Sequence, residues 1–209
     1  MTETKIKRLK RYSIYMIQWI AERMHGLDFT MRDTSLIVKT GGLLHGYSKT
    51  DESHAKEIFD YLNVSSSSKL LDVGCGKGAF LREASKYPFG KIAGIEIDKR
   101  LVSIAKKNFR ILKLDDRIKI FQADALEFEH YGAFNVFYFF NPFDKEIMEQ
   151  VVDKIAMSQG KSRTYYIILH NPTCVDVIEG KGGMLVGKLY DPMKSYETYI
   201  YKCGGSDSK

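Results

Sequence analysis

The chain has 209 residues, 44% hydrophobic and 28% charged, with a formal net charge of +6. That composition supports one domain with a sizeable core and excludes disordered, collagen-like or low-complexity architectures. Cys75, Cys174 and Cys203 are odd in number and lack metal spacing, which excludes a disulfide framework and a zinc site and predicts a reducing, cytoplasmic setting; the moderate positive excess permits an anionic partner without demanding one.

At the N-terminus, a basic run over residues 5–11 precedes an apolar run over residues 12–21. The apolar part is broken by Gln18, lacks a small-x-small cleavage site and is too short to span a bilayer. Ile6, Leu9, Ile17, Ile20 and Met24 recur at near-helical spacing, so an amphipathic helix is expected. Its expected role is to pack on the main domain or on a second copy, as in a homodimer. A substrate lid, or a basic helix touching membrane or nucleic acid, are the sharper readings. Residues 1–44 are accordingly expected to be a helical extension or lid, 45–203 the main domain, and 204–209 a disordered tail.

The most specific stretch is Leu70-Leu71-Asp72-Val73-Gly74-Cys75-Gly76-Lys77-Gly78. Leu70, Leu71 and Val73 predict a buried parallel strand. Gly74, Gly76 and Gly78 allow tight turning and close backbone approach at its end. Residues 79–86 predict a helix whose N-terminal N–H groups face whatever lies above the strand. Residues 91–96 predict the next strand, with Glu96 at its tip placed to accept from ribose hydroxyls. Gly74-x-Gly76-x-x-Ala79 also satisfies the dinucleotide fingerprint, so a nicotinamide-dependent oxidoreductase is the competing reading. Asp72 weighs against it, because an acid two residues before the first glycine would repel a diphosphate. The same acid suits a cofactor with an amino group and a sulfonium, namely S-adenosylmethionine.

Downstream, strand and helix signals alternate, which predicts an α/β doubly wound fold. Residues 101–109 read as a helix and 117–122 as a strand followed by Ala123, Asp124 and Ala125. Residues 135–140 form a wholly apolar strand ending in Asn141-Pro142-Phe143-Asp144, and 147–155 read as a helix. Residues 164–169 form a fifth strand ending in His170-Asn171-Pro172, before a short helix or turn at 174–179. Residues 184–190 and 196–201 look like a closing strand pair. The glycine loop, Glu96, Asp124, Asn141-Pro142-Phe143 and His170 all fall at strand ends, where open α/β sheets bind ligands.

These motifs, in this order and spacing over about residues 45–203, resemble class I S-adenosylmethionine-dependent methyltransferases. More narrowly, the Phe139-Phe140-Asn141-Pro142-Phe143 motif is similar to that of small bacterial members labelled similar to non-SET histone-lysine methyltransferases. The resemblance implies a seven-stranded, mostly parallel Rossmann-like sheet with a reversed final strand between its neighbours. It implies S-adenosyl-L-methionine as cofactor, S-adenosyl-L-homocysteine as product, and no metal.

Position by position, it implies that Asp72 holds the cofactor amino group. The Gly74, Cys75, Gly76 and Gly78 backbone passes under the methionine moiety. Glu96 takes the ribose hydroxyls, Ile97 packs on adenine, and Asp124 with the Ala125 N–H reads the adenine edge. Tyr47 is expected to contact cofactor or substrate. Asn141 would contact the cofactor near its reactive methyl and offer its oxygen to the acceptor. Pro142 and Phe143 complete the catalytic motif, Phe143 stacking on a planar substrate group or walling a cation-friendly pocket. His170 and Asp144 are the nearest candidates for a base. The single proline and the Phe at the stacking position depart from Asn-Pro-Pro-Tyr motifs, which tells against amino-base or glutamine methylation. The expected activity is methyl transfer to an N or O nucleophile of an unidentified acceptor, with a small molecule or protein side chain favoured over nucleic acid. A cofactor-binding module without catalysis is the further alternative.

Overall fold

A computed structural model of the chain describes residues 3–31, 47–160 and 162–205. In chain order the described elements are α1 (Glu3–Met24), α2 (Glu52–Leu62), β1 (Lys69–Val73), α3 (Ala79–Ala84), β2 (Lys91–Glu96), α4 (Lys99–Ile111), β3 (Ile118–Gln122), a 3-10 turn (Tyr131–Ala133), β4 (Val136–Phe139), α5 (Lys145–Gln159), β5 (Tyr165–His170), α6 (Val175–Gly180), β6 (Met184–Asp191) and β7 (Tyr196–Cys203). The strands form one seven-stranded sheet in the order β3-β2-β1-β4-β5-β7-β6. The first five are parallel, and β7 runs antiparallel between β5 and β6. The α/β doubly wound expectation holds, including the reversed strand inserted next to β5.

Strand alternation divides the core into two layers. Leu70 joins Phe59, Phe80 and Phe109 on the face covered by α2, α3 and α4. Leu71 and Val73 join Phe137, Val151 and Ile155 on the α5 face. Asp72 shares the face of Leu70, at the carboxyl end of the sheet. The register aligns Val73 with Ile95 on one side and Phe139 on the other. The three strand tips that carry the glycine loop, Glu96 and Asn141 therefore end at one edge.

One helix escaped the sequence reading. Asp51 caps α2, its carboxylate accepting from the Ser53 N–H at 3.0 Å, and His54, Ala55, Ile58 and Phe59 are buried. The signal was a capping acid followed by apolar residues at helical spacing. At the other end of the domain, a Cβ on Gly204 would lie 2.3 Å from the Arg163 carbonyl oxygen. The packed chain thus runs through Gly204, the first residue of the tail predicted at 204–209; the 206–209 part of that tail lies outside the described residues, as does the 32–46 part of the predicted extension.

The N-terminal helix exists, but the expectation that its apolar face packs on the main domain fails within this chain. Leu9, Tyr12, Met16, Ile17, Ile20 and Met24 are exposed. The side that docks is mixed, with Ile14, Tyr15, Gln18 and Trp19 half-buried and Glu22 buried. Gln18 accepts from Lys49 Nζ at 3.1 Å. Glu22 takes the Phe29 N–H at 2.9 Å, the Thr30 N–H at 2.8 Å and the Thr30 hydroxyl at 2.7 Å. A buried carboxylate satisfied by three donors fixes the chain reversal that follows α1.

Candidate active site

At the tip of β1 the chain curls onto β2. The Gly74 and Cys75 N–H groups both donate to the Ile95 carbonyl, at 2.9 and 3.0 Å, and the Gly78 N–H donates to Cys75 O at 2.9 Å. Gly74, Gly76 and Gly78 all have positive φ, which glycine adopts without steric cost. Each also meets a ring: a Cβ would lie 2.9 Å from Pro142 Cβ at Gly74, 2.0 Å from Tyr47 Cδ2 at Gly76, and 2.5 Å from Phe109 Cζ at Gly78. Cys75 is buried against Gly94, where a Cβ would lie 2.6 Å from its sulfur. Burial, Asp72 and Glu96 push its thiol well above its ordinary pKa. Its side chain therefore packs the loop onto β2 as a neutral group.

Glu96 holds this loop from the second strand. One carboxylate oxygen accepts from the Gly76 N–H at 3.0 Å and the other from the Asp98 N–H at 2.9 Å. Burial raises its pKa against those backbone bonds. Each oxygen keeps a second lone pair, so Glu96 can brace the loop and still accept from ligand hydroxyls. Asp72 is only 4% exposed, and no described group donates a hydrogen bond to its carboxylate. Burial, and then Glu96, hold its pKa well above the carboxylate range.

These groups line one cavity of about 270 Å³. Of the predicted cofactor residues, Tyr47, Asp72, Gly74, Cys75, Gly76, Glu96, Ile97, Asp124 and Ala125 line it, together with Pro142 and Phe143. Gly78 is not among the lining residues; it starts α3. Asp124 Oδ1 accepts from the Leu126 N–H at 2.8 Å, an Asx turn that leaves Oδ2 for other donors. Phe143 is 6% exposed and packs edge-on to Phe139, with ring centroids 6.2 Å apart.

Asn141 and His170 stand apart from this cavity. Asn141 has φ 42°, its side-chain oxygen accepts from the Thr173 hydroxyl at 2.7 Å, and it lines a smaller adjoining pocket. His170 is fully buried behind Phe140, with ring centroids 4.3 Å apart. His54 Nδ1 faces the Glu57 carboxylate at 3.1 Å, and His54 Nε2 shares a hydrogen bond with the Thr198 hydroxyl at 2.6 Å. Thr198 Oγ1 also shares a hydrogen bond with His170 Nδ1 at 2.7 Å. His170 Nε2 faces Asp191 Oδ2 at 3.7 Å. Burial, His54 and Lys194 hold His170 well below its ordinary pKa, and burial pushes Asp191 up. Asp144 serves as the N-cap of α5, accepting from the Ile147 N–H at 3.2 Å.

The sequence reading missed part of the cavity wall, on β4 beside Asp72. Thr50 Oγ1 and Tyr138 Oη share a hydrogen bond at 2.7 Å, and Ser48, Lys49 and Phe140 line the cavity beside them. Tyr138 stacks on Phe80 at 3.6 Å and had read as one more apolar strand residue. Among the described residues no group of three or more metal-ligating side chains converges.

A cofactor bearing an amino group and a sulfonium fits these residues. The buried Asp72 carboxylate needs a cationic or hydrogen-bonding partner, and it lines the same cavity as Glu96 and Asp124.

Residues 49–182 match the family model for ribosomal RNA adenine dimethylase. Among curated proteins, polyamine aminopropyltransferase 2 of Aquifex aeolicus is 34% identical over 91 residues, 39% of this chain and 18% of its own length. The Caenorhabditis elegans rRNA N(6)-adenosine-methyltransferase metl-5 is 33% identical over 60 residues, 28% of each chain. The chain thus spans less than a third of either relative. In structure, an RNA methyltransferase from Salinibacter ruber in complex with S-adenosyl-L-homocysteine superposes with a TM-score of 0.59 at 17% identity, covering 74% of this chain and 93% of that one. The fold is that of class I methyltransferases, whose cofactor is S-adenosyl-L-methionine, and the chain belongs to the ribosomal RNA adenine dimethylase family.

Proposed function

We propose that the protein is a methyltransferase that binds S-adenosylmethionine in the described cavity and methylates an N or O nucleophile of an acceptor. The observation that carries this is Asp72, a buried carboxylate beside the glycine loop with no described hydrogen-bond donor. In this reading Asp72 takes the amino group, Glu96 the ribose hydroxyls, and Asp124 with Ala125 the adenine edge. The sulfonium supplies a methyl group already activated for transfer. The protein's part is to align the nucleophile and exclude water. Phe80, Tyr138 and Phe140 make the wall that does so.

Lys49 is bound to Gln18 and Glu52, and His170 lies behind Phe140, so neither presents a base to the cavity. This favours acceptors that carry a lone pair without losing a proton first, such as a weakly basic amine of a small molecule; a lysine side chain would have to arrive already deprotonated. A second reading, a base amine in RNA, is favoured by the family match over residues 49–182. Against it stands Asn141, whose side-chain oxygen is engaged by Thr173 and turned to the smaller pocket.

Calorimetry tests the cofactor. Heat with S-adenosylmethionine and S-adenosylhomocysteine, and none with NAD or NADP, supports the reading; the reverse pattern makes the protein an oxidoreductase. Incubation of a lysate with labelled methyl donor, followed by separation of protein, RNA and small molecules, tests the acceptor. Label in no fraction, despite cofactor binding, would make it a non-catalytic module.

A further inference from the structure

The N-terminal helix leaves its longest apolar stripe exposed. In a helix lying on its own domain, the apolar stripe normally faces inward. In α1 Gln18 and Glu22 hydrogen-bond the domain through Lys49, Phe29 and Thr30, and Ile14, Tyr15 and Trp19 are half-buried on the same side. At about 100° per residue, Leu9, Met16, Ile17, Ile20 and Met24 lie between about 160° and 260° around the axis from Gln18. They point away from the fold: Leu9 is 61% exposed, Ile17 68% and Met24 80%. The stripe runs about 22 Å along the helix. Scattered exposed apolar residues need no explanation, but five on one face, held outward by buried polar contacts, make an interaction surface.

The charge of the same helix identifies what it meets. Lys5, Lys7, Arg8, Lys10 and Arg11 place five cations in seven residues, against a net charge of +6 for the whole chain. We propose that α1 is a membrane-docking helix that lies flat on an anionic lipid surface, its outward stripe in the acyl boundary and its cations at the headgroups. RNA would meet the cations but would give Ile17, Ile20 and Met24 nothing apolar to bury against. Self-association would bury the stripe but bring two strongly cationic segments into one dimer. Only an anionic lipid surface complements both features. No helix among the described residues is long and apolar enough to cross a membrane, so the docking is peripheral.

The test is cosedimentation of the full chain with vesicles of phosphatidylcholine alone and of phosphatidylcholine with phosphatidylglycerol in equal parts. The protein is expected to pellet with the mixed vesicles only, and raised salt is expected to release it. Ile17→Ser with Ile20→Ser is expected to lower partitioning about tenfold or more. Because both positions are exposed, this variant keeps the wild-type thermal midpoint and binds S-adenosylhomocysteine as before. Lys7→Gln with Lys10→Gln is expected to lower partitioning about fivefold for each charge removed. No pelleting with the mixed vesicles, or equal pelleting with both kinds, overturns the proposal. So does a dimer in light scattering that the isoleucine pair dissolves, or retention of an RNA oligomer that the same pair abolishes.

Discussion

The ring of Tyr47 lies directly on Gly76, where a Cβ would sit 2.0 Å from Tyr47 Cδ2. The Tyr47 hydroxyl donates to the Phe29 carbonyl. Lys77 pairs with Asp28 at 2.7 Å, and the Asn108 amide donates to Asp28 O at 3.0 Å. The return segment after α1 and the glycine loop are therefore one packed unit. Gly76→Ala is expected to cost about 1–3 kcal/mol of stability, from steric conflict and a φ of 54°. It should weaken S-adenosylhomocysteine binding well beyond that of Tyr47→Phe, which loses one hydrogen bond worth about 1 kcal/mol. Urea midpoints and calorimetry on both variants check this; wild-type binding by Gly76→Ala would show that the ring contact does not set the cavity.

Asp72 carries the proposed function, and its pH behaviour has a defined sign. Its folded-state pKa is raised, by burial first and Glu96 second. Its contribution to stability is thus fully present below the ordinary carboxylate value of about 3.9 and is lost as pH rises through the raised folded value. Asp72→Asn removes that penalty. The ligand-free variant is expected to melt above wild type at neutral pH, with the difference closing in acid. It should also bind S-adenosylmethionine about 10–100-fold more weakly, since a charge-assisted hydrogen bond is worth about 1.5–3 kcal/mol. A variant that melts lower and binds as wild type would remove Asp72 from the site.

The strand-end chemistry was legible because period-two burial and glycine turns are local signals. Asp72, Glu96 and Asp124 could be placed at one sheet edge from their positions after apolar runs, and the structure puts all three on the cavity. Tyr138 and Thr50 were not legible, because their pairing joins positions 88 residues apart. His170 was visible as a strand-end histidine, but its partners His54 and Thr198 come from α2, an element not recognised, and from the reversed strand β7. The direction of α1 was also hidden. Its periodicity gives an apolar face, whereas the face that docks is chosen by Glu22 capping Thr30, a contact no pattern announces.

Thr198 offers one hydroxyl to two buried imidazoles, so its loss leaves both unsatisfied. Thr198→Val is expected to destabilise by about 2–4 kcal/mol in urea unfolding. The folded pKa of His170 is lowered, mainly by burial. Its stabilising effect is therefore present above the unfolded value of about 6.5 and lost as pH falls through the folded value. In an NMR titration, the His170 imidazole should show no transition near pH about 6.5. A transition there would mean that the ring charges in the fold and could serve as a base after all.

Asn141 lines the small pocket that shares Pro142 and Phe143 with the main cavity. Its oxygen is held by Thr173, and its left-handed φ of 42° suits Asn or Gly better than Ala. Asn141→Gly therefore removes the side chain without adding backbone strain. If the side chain holds the acceptor, Asn141→Gly lowers kcat about 10–100-fold and leaves S-adenosylhomocysteine affinity within about twofold, less than the 1.4 kcal/mol that a tenfold change represents. Thr173→Val removes this hydrogen bond to Asn141 and is expected to change KM for the acceptor while sparing cofactor affinity. Equal loss of cofactor affinity and turnover in Asn141→Gly would place Asn141 on the cofactor instead. Full activity would show that its bond to Thr173 only shapes the turn after β4.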